Sequence, residues 1–279
     1  MIEPTPIAPK KLDASRERAK ASGGIGEVAK IVFQALLVAV IIRTLFFQPF
    51  NIPSGSLIPT LLVGDYVFVA KYAYGYSSDS LFDALPFSPH LFSGRIFGSL
   101  PKVGDVVVFK VPTDNSTDFI KRVIGLPGDR IQMIRGDLYI NGEKVKRELV
   151  SESDEEVATG LTHPVKRYRE TLPNGVTHII QTVDDGFGEL NNTGVFTVPA
   201  GHVFMMGDNR DLSADSRIGF GTHDDAFDYV PLDNLIGRAE RVFFSIKTKP
   251  GEPNETESAW SFWRWPWTLR WDRLLQPVT

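Results

Sequence analysis

From Ala29 to Ile42 the chain is apolar apart from Lys30 and Gln34, and no other stretch of the 279 residues looks like a membrane segment. Lys30 and Arg43 lie thirteen positions apart, roughly 20 Å along a helix, against roughly 30 Å for a hydrocarbon core. A span therefore needs both charges to reach outward, with Leu45-Phe46-Phe47 completing the outer end. Two other readings compete: a buried amphipathic helix of a soluble domain, and a cleaved leader. The leader is disfavoured because no small-x-small site follows, only Phe47-Gln48-Pro49-Phe50. An uncleaved anchor over 26–48, behind a polar and disordered tail over 1–25, fits better. The basic residues of that tail favour an inside N-terminus and an outside body, moderated by Glu17 and Glu27.

After Pro53 the pattern becomes that of strands. Tyr66–Val69, Val106–Phe109, Phe119–Ile124, Ile131–Ile134, Leu138–Ile140 and Val195–Val198 are short β-branched or aromatic runs, punctuated by Gly, Pro, Asp and Asn. Asn141-Gly142 is a strong hairpin signal. No helical alternation intervenes, so the expected fold is mainly β, with antiparallel sheets. Residues 151–192 are more polar and read as an insertion, and 81–100 as a long surface loop.

Composition removes several chemistries. The chain has no cysteine, which excludes a thiol nucleophile, thiolate metal sites and disulfides. Its five histidines are scattered, and none has the H-E-x-x-H spacing of zinc hydrolases. A formal charge of −4 does not point to nucleic acid.

Three blocks carry candidate chemistry. In Pro53-Ser54-Gly55-Ser56-Leu57-Ile58-Pro59, two prolines restrain the backbone and Gly55 permits a tight turn. Such a frame can hold a hydroxyl forward with a backbone N–H aimed at the same point, as a tetrahedral acyl intermediate requires. An ordinary Ser/Gly/Pro loop reads the same way. The second block is Asp118-Phe119-Ile120-Lys121-Arg122. On a strand, Phe119, Lys121 and Val123 share a face. An amine between apolar side chains is poorly solvated when charged, so its pKa falls and it can take a hydroxyl proton. The alternative is an edge-strand lysine with its head in water. The third block, Gly207 to Arg217, offers hydroxyls and carboxylates that could orient the lysine. A metal loop through Asp208, Asp211 and Asp215 is the rival there, but it lacks the EF-hand glycine and final glutamate.

Anchor, Ser block, Val103–Phe109, Lys block and Gly-Asp-Asn block follow one another in the order of type I signal peptidases, and the chain resembles that family from about Phe50 to Arg217. The resemblance implies a membrane-anchored serine endopeptidase that removes N-terminal signal peptides from exported preproteins after small residues, of the Ala-x-Ala kind. Ser56 is similar to the family nucleophile and Lys121 to its general base. Ser54 resembles the side chain that joins the Ser56 N–H in the oxyanion hole. Ser213 matches the hydroxyl that orients the lysine, and Asp215 a more structural acidic neighbour. The substrate would lie extended along Phe50, Ile52, Pro53, Leu57, Leu61, Val67, Val108, Asp118, Phe119 and Ile120, with signal peptides and the lipid bilayer as partners.

The family also implies a catalytic β core, here 49–130 and 193–250, with an inserted second β domain over 131–192 and no metal or organic cofactor. It further implies a bacterial inner membrane location, with the N-terminus inside and the catalytic domain periplasmic. Leu57 stands where methionine is usual, Leu212 where asparagine is common, and 218–229 is longer and more acidic than the usual link. The best-known members carry two anchors, whereas one is readable here. Rivals are a conjugation-type maturation protease, a self-cleaving repressor and an anchored non-catalytic β domain that binds peptides or lipids. The repressor lacks support, since no helix-turn-helix precedes the motifs. All five tryptophans fall within Trp260–Trp271 among Arg264, Arg270 and Arg273. This tail over 251–279 reads equally as a peripheral membrane contact or as an arm packed on the β body.

Overall fold

The computed structural model describes residues 14–82, 91–113, 115–156, 162–183, 186–218, 229–247 and 268–279. The chain divides into two compact units, Met1–Arg43 and Thr44–Thr279. Helix α1 (Ala14–Leu45) contains a 20-residue stretch, Gly26–Leu45, long and apolar enough to cross a membrane. At 1.5 Å per residue that stretch covers roughly 30 Å. Its side chains, Ile31, Phe33 and Leu36 among them, are exposed. The helix stops at Leu45, three residues before the expected end of the anchor, and Phe47-Gln48-Pro49 already runs as a strand. Pro49 gives the reason: it disfavours helical backbone before it and lacks the N–H a helix needs.

In the body, strands β1 (Phe47–Asn51) and β2 (Asp65–Ala70) come first, followed by the short helix α2 (Ser78–Phe82). Next are β3 (Val106–Lys110), β4 (Asp118–Gly125), β5 (Arg130–Ile134), β6 (Asp137–Ile140) and β7 (Glu143–Lys144). Then come β8 (Lys146–Glu156), β9 (Thr162–Thr171), β10 (Thr177–Thr182) and β11 (Phe196–Thr197). The last are β12 (His202–Met206), β13 (Val230–Pro231) and β14 (Leu235–Ser245). Seven of them form one sheet in the order β1-β2-β14-β3-β4-β12-β13, and every named pairing is antiparallel, so the fold is mainly β as expected. Pro49 is tolerated because β1 is an edge strand.

Two smaller sheets follow, β10-β9-β8 and β11-β5-β6-β7. In the second, Asn141 and Gly142 both have positive φ, 55° and 86°, which is the two-residue hairpin turn joining β6 to β7. The polar stretch after 151 holds the end of β8 and all of β9 and β10, strands that hydrophobic alternation does not show. Their exposed faces carry Arg167–Glu155, Lys166–Glu152 and an Arg147–Tyr168 stack in place of apolar residues. Of the expected surface loop, 83–90 lies outside the described residues. Downstream, Arg95 pins the loop by donating to the carbonyls of Tyr74, Gly75, Leu232 and Leu235.

Three apolar clusters fill the body. One holds Ile52, Leu57, Leu61, Val67, Val108 and Ile120, with Phe50 and Val278 against it. A second gathers Phe109, Val123, Val203, Met205 and Leu235, and a third joins Phe204 and Met206 to Ile131, Met133 and Leu138 of the small sheet. Residues 268–279 run along β14, with Val278 against the first cluster and Trp271 exposed. Trp260, Trp263, Trp265 and Trp267, and most of the acidic 218–229 stretch, lie outside the described residues.

Candidate active site

Ser56 sits in the turn between β1 and β2, and Lys121 on β4. The turn is closed by Ile58 N to Gly55 O at 3.2 Å and Leu61 N to Leu57 O at 2.9 Å. Its front is tied to the third block: Asn209 N donates to Ser56 O at 3.0 Å and Asn209 Nδ2 to Gly55 O at 3.1 Å. Ser56 Oγ and Lys121 Nζ are then 2.8 Å apart. Both side chains are buried, Ser56 to 7 % exposure and Lys121 to 4 %. The ammonium stem lies on the face predicted by alternation, with Nζ 5.2 Å from the centre of the Phe119 ring. Burial lowers the amine to about 8, against a pull back upward from Asp215 and Asp208. An amine in that state can accept the Ser56 proton near neutral pH.

The remaining residues of the site are placed as follows. Among the described residues the Ser56 N–H donates to no acceptor. Ser54 is exposed and makes no hydrogen bond within the described chain. Ser213 makes no hydrogen bond to Lys121. The amine is already shared between Ser56 Oγ and the Ile120 carbonyl at 3.2 Å. Among the described residues the buried Ser213 Oγ makes no hydrogen bond of normal geometry, although it lies near enough to Asp215 to help hold that carboxyl down. It packs instead against Gly207, where a Cβ would lie 2.2 Å from Ser213 Oγ and 2.5 Å from Ser56 O. Glycine at 207 is what lets the third block approach the nucleophile turn. Asp215 is buried and gripped by Arg217, with Nε to Oδ1 and Nη2 to Oδ2 both at 2.9 Å, and also accepts Gly207 N–H. Burial pushes its carboxyl up, but Arg217 outweighs that and holds it below the usual range. A carboxylate so neutralised orders the loop more than it steers the lysine.

Of the residues expected to line the substrate path, Phe50 and Phe119 are half-buried, while Pro53 and Asp118 are exposed, the latter paired with Lys110 at 2.8 Å. Ile52, Val108 and Ile120 are buried, and Leu57, Leu61 and Val67 have no exposed surface at all. The last three belong, with Ile52, Val108 and Ile120, to one buried apolar cluster. Strand β12 pairs with β4 only from Arg122 to Gly125, so it does not cover the stretch that carries Lys121.

A buried charge network was not foreseen. Arg122, one step from Lys121 and so on the opposite face, forks onto Asp208 at 2.8 and 2.7 Å and donates to Gly104 O at 2.7 Å. Glu170 on β9 pairs with Arg210, and His178 on β10 lies 3.4 Å from Glu170 and 3.8 Å from Asp208. Burial raises the Glu170 carboxyl, yet Arg210 and His178 prevail and hold it down at about 2. Gln181 N to Asp208 O at 2.8 Å and Arg210 N to Gln181 O at 2.9 Å add backbone links between β10 and the third block. The signal available in the sequence was Arg122 itself: a strand arginine beside an inward lysine needs a carboxylate if both faces are covered.

The described body is an antiparallel β protein built around a buried serine–lysine pair, the arrangement of a serine hydrolase. Residues 25–244 match the family described as signal peptidase, peptidase S26. A signal peptidase I of Rickettsia typhi is 43% identical over 231 residues, covering 79% of this chain and 80% of its own. One from Rickettsia canadensis is 44% identical over 220 residues, with 75% and 76% covered. A solved signal peptidase I from Enterococcus faecalis V583 aligns at 25% identity over 50% of this chain and 97% of its own, with a TM-score of 0.29. The chain belongs to the signal peptidase family, peptidase S26, and is a serine peptidase.

Proposed function

We propose that this peptidase is anchored by Gly26–Leu45, with its N-terminus inside and its body on the periplasmic side of a bacterial inner membrane. There it removes signal peptides from exported preproteins through Ser56 and Lys121. The observation that carries the reading is the 2.8 Å contact between Ser56 Oγ and an amine that burial brings to about 8. Ser56 Oγ attacks the scissile carbonyl carbon as its proton passes to Lys121 Nζ. The Ser56 N–H and Ser54 hydroxyl stabilise the oxyanion, and Lys121 returns the proton to the leaving amine. Water, deprotonated by the same amine, then attacks the acyl carbon; the bond to Ser56 Oγ breaks, and Lys121 returns the proton to that oxygen. The substrate lies extended beside Phe119–Lys121 as an added strand, with shallow apolar contacts at Phe50, Ile52 and Ile120 that suit alanine side chains. The second β region, 131–192, supports the catalytic sheet through Glu170 and His178.

The test is cleavage of a fluorescent preprotein by the full chain in detergent. Ser56→Ala and Lys121→Ala should each abolish cleavage, and the double variant should be no worse than either, because the pair acts as a unit. Retained turnover in Lys121→Ala would remove the mechanism. Ser54→Ala should be milder, losing roughly 3 kcal/mol of oxyanion stabilisation.

A further inference from the structure

The turn that carries Ser56 is held from two sides, and only one of them belongs to the motif blocks. Asn209 holds the front, as described above. Behind it, two arginines from beyond β14 take the next carbonyls: Arg273 Nη2 donates to Thr60 O at 2.9 Å and Arg270 Nη1 to Val63 O at 2.9 Å. Arg273 also forks onto Asp65, with Nε to Oδ1 at 3.0 Å and Nη2 to Oδ2 at 2.6 Å. Asp65 is fully buried and closes the same turn by accepting the Leu62 N–H at 2.8 Å, while Ser245 Oγ donates to it at 2.6 Å.

The segment bearing these arginines is itself strapped along β14. Arg270 N donates to Ser245 O at 3.0 Å, Val242 N to Gln276 O at 2.9 Å, Leu275 N to Val242 O at 2.7 Å and Val278 N to Glu240 O at 2.9 Å. Val278 packs on the cluster that contains Leu57 and Leu61. Arg122, the neighbour of Lys121, reaches Thr279 O at 3.2 Å and Thr60 Oγ1 at 3.4 Å. One strap therefore touches both the turn of the serine and the residue beside the lysine. It lies outside the 25–244 region matched to the family, and nothing in that match assigns it a role.

We propose that the 268–279 strap, through Arg273, is a positioning device for the nucleophile turn. The proposal rests on Ser56 being the nucleophile. Because Leu61 N to Leu57 O makes the turn one hydrogen-bonded unit, displacement at Thr60 is passed to Ser56 and opens the Ser56–Lys121 distance. Misplacement of a reacting group by about 1 Å is enough for a rate loss on the order of a hundredfold. A merely structural role would be confined to neutralising buried Asp65, and the two roles are separable. Arg273→Ala removes the Thr60 contact and leaves Asp65 with only the more distant Arg270, at 3.8 Å, as its cation. Asp65→Asn combined with Arg273→Met removes the Thr60 contact and the buried carboxylate together, leaving Arg270 held by Val63 O and Ser245 Oγ.

Both variants, made in the full chain in detergent, would be assayed on a soluble peptide carrying an Ala-x-Ala site. Assays run at a temperature where circular dichroism shows them folded, with Ser56→Ala alongside. The expected result is a fall in kcat of about ten- to a hundredfold in both variants, with KM within about twofold of the parent. Full kcat in the folded double variant overturns the proposal, as does a loss confined to KM. If neither variant folds, the strap serves the fold and the proposal fails. Retained activity in Ser56→Ala would instead bring down the nucleophile assignment on which it rests.

Discussion

On the proposed mechanism, Lys121 sets how cleavage responds to pH. With its folded-state amine near 8 and an ordinary value of 10.5, the neutral form is favoured by burial. Peptide hydrolysis should rise with pH through a midpoint near 8 and be low in acid. A profile that peaks in acid would contradict an amine base. Stability runs in the same direction. As pH falls below about 10.5 the unfolded chain takes the proton first, so folding weakens down to about 8 and then levels off, by up to roughly 3 kcal/mol. Lys121→Met keeps the volume and removes the buried amine. It should abolish cleavage yet raise the urea midpoint at neutral pH, and an unchanged or lowered midpoint would show that the amine is not held at a cost. The position of the lysine was legible from alternation with Phe119. Its fully buried neighbour Arg122 was not singled out, since the carboxylate that pairs with it lies 86 positions away.

At the scale of elements, the third block works as a wedge between the nucleophile turn and the second sheet. Gly207 lets it do so, because any Cβ there meets Ser213 and the Ser56 carbonyl at contact distances that do not occur. Gly207→Ala should therefore push Asn209 off Ser56 and Gly55. The expected loss is at least a hundredfold in kcat/KM, in a protein whose circular dichroism still shows β structure. Activity within tenfold of the parent would mean the wedge can relax. Strands β12 and β14 were not anticipated, although β14 lies inside the main sheet. The sequence Leu235–Ser245 keeps period two through Arg238, Ala239 and Glu240 but breaks it at Arg241 and again at Phe244, and bulges in its pairing with β2 between Ala239 and Arg241 and between Val242 and Phe244 absorb the breaks. The Asn141-Gly142 hairpin, whose turn depends on two adjacent residues alone, was readable directly.

For the whole molecule, the short link between helix and nucleophile is the feature to test. From Leu45 to Ser56 is eleven residues, at most roughly 36 Å when extended. A peptidase working on membrane-inserted substrates needs its nucleophile within that reach of the outer face. A flexible Gly/Ser spacer of about twenty residues between Leu45 and Phe46 leaves β1 intact. It should impair preprotein cleavage in membranes more than hydrolysis of a soluble peptide, whereas equal effects would make the tether incidental. By itself the sequence determined what local rules govern: an apolar run that spans a bilayer only if its end charges reach outward, strands of period two, a hairpin at Asn-Gly, and a hydroxyl and an amine in blocks whose order matches a family. Tertiary structure alone decided what depends on residues far apart in the chain: the 2.8 Å closure of Ser56 on Lys121, the depressed amine, the Glu170–Arg210 link to the second sheet and the grip of Arg273 on Thr60. The physical reason is that burial and charge pairing are set by which surfaces meet, and no periodicity along the chain records that.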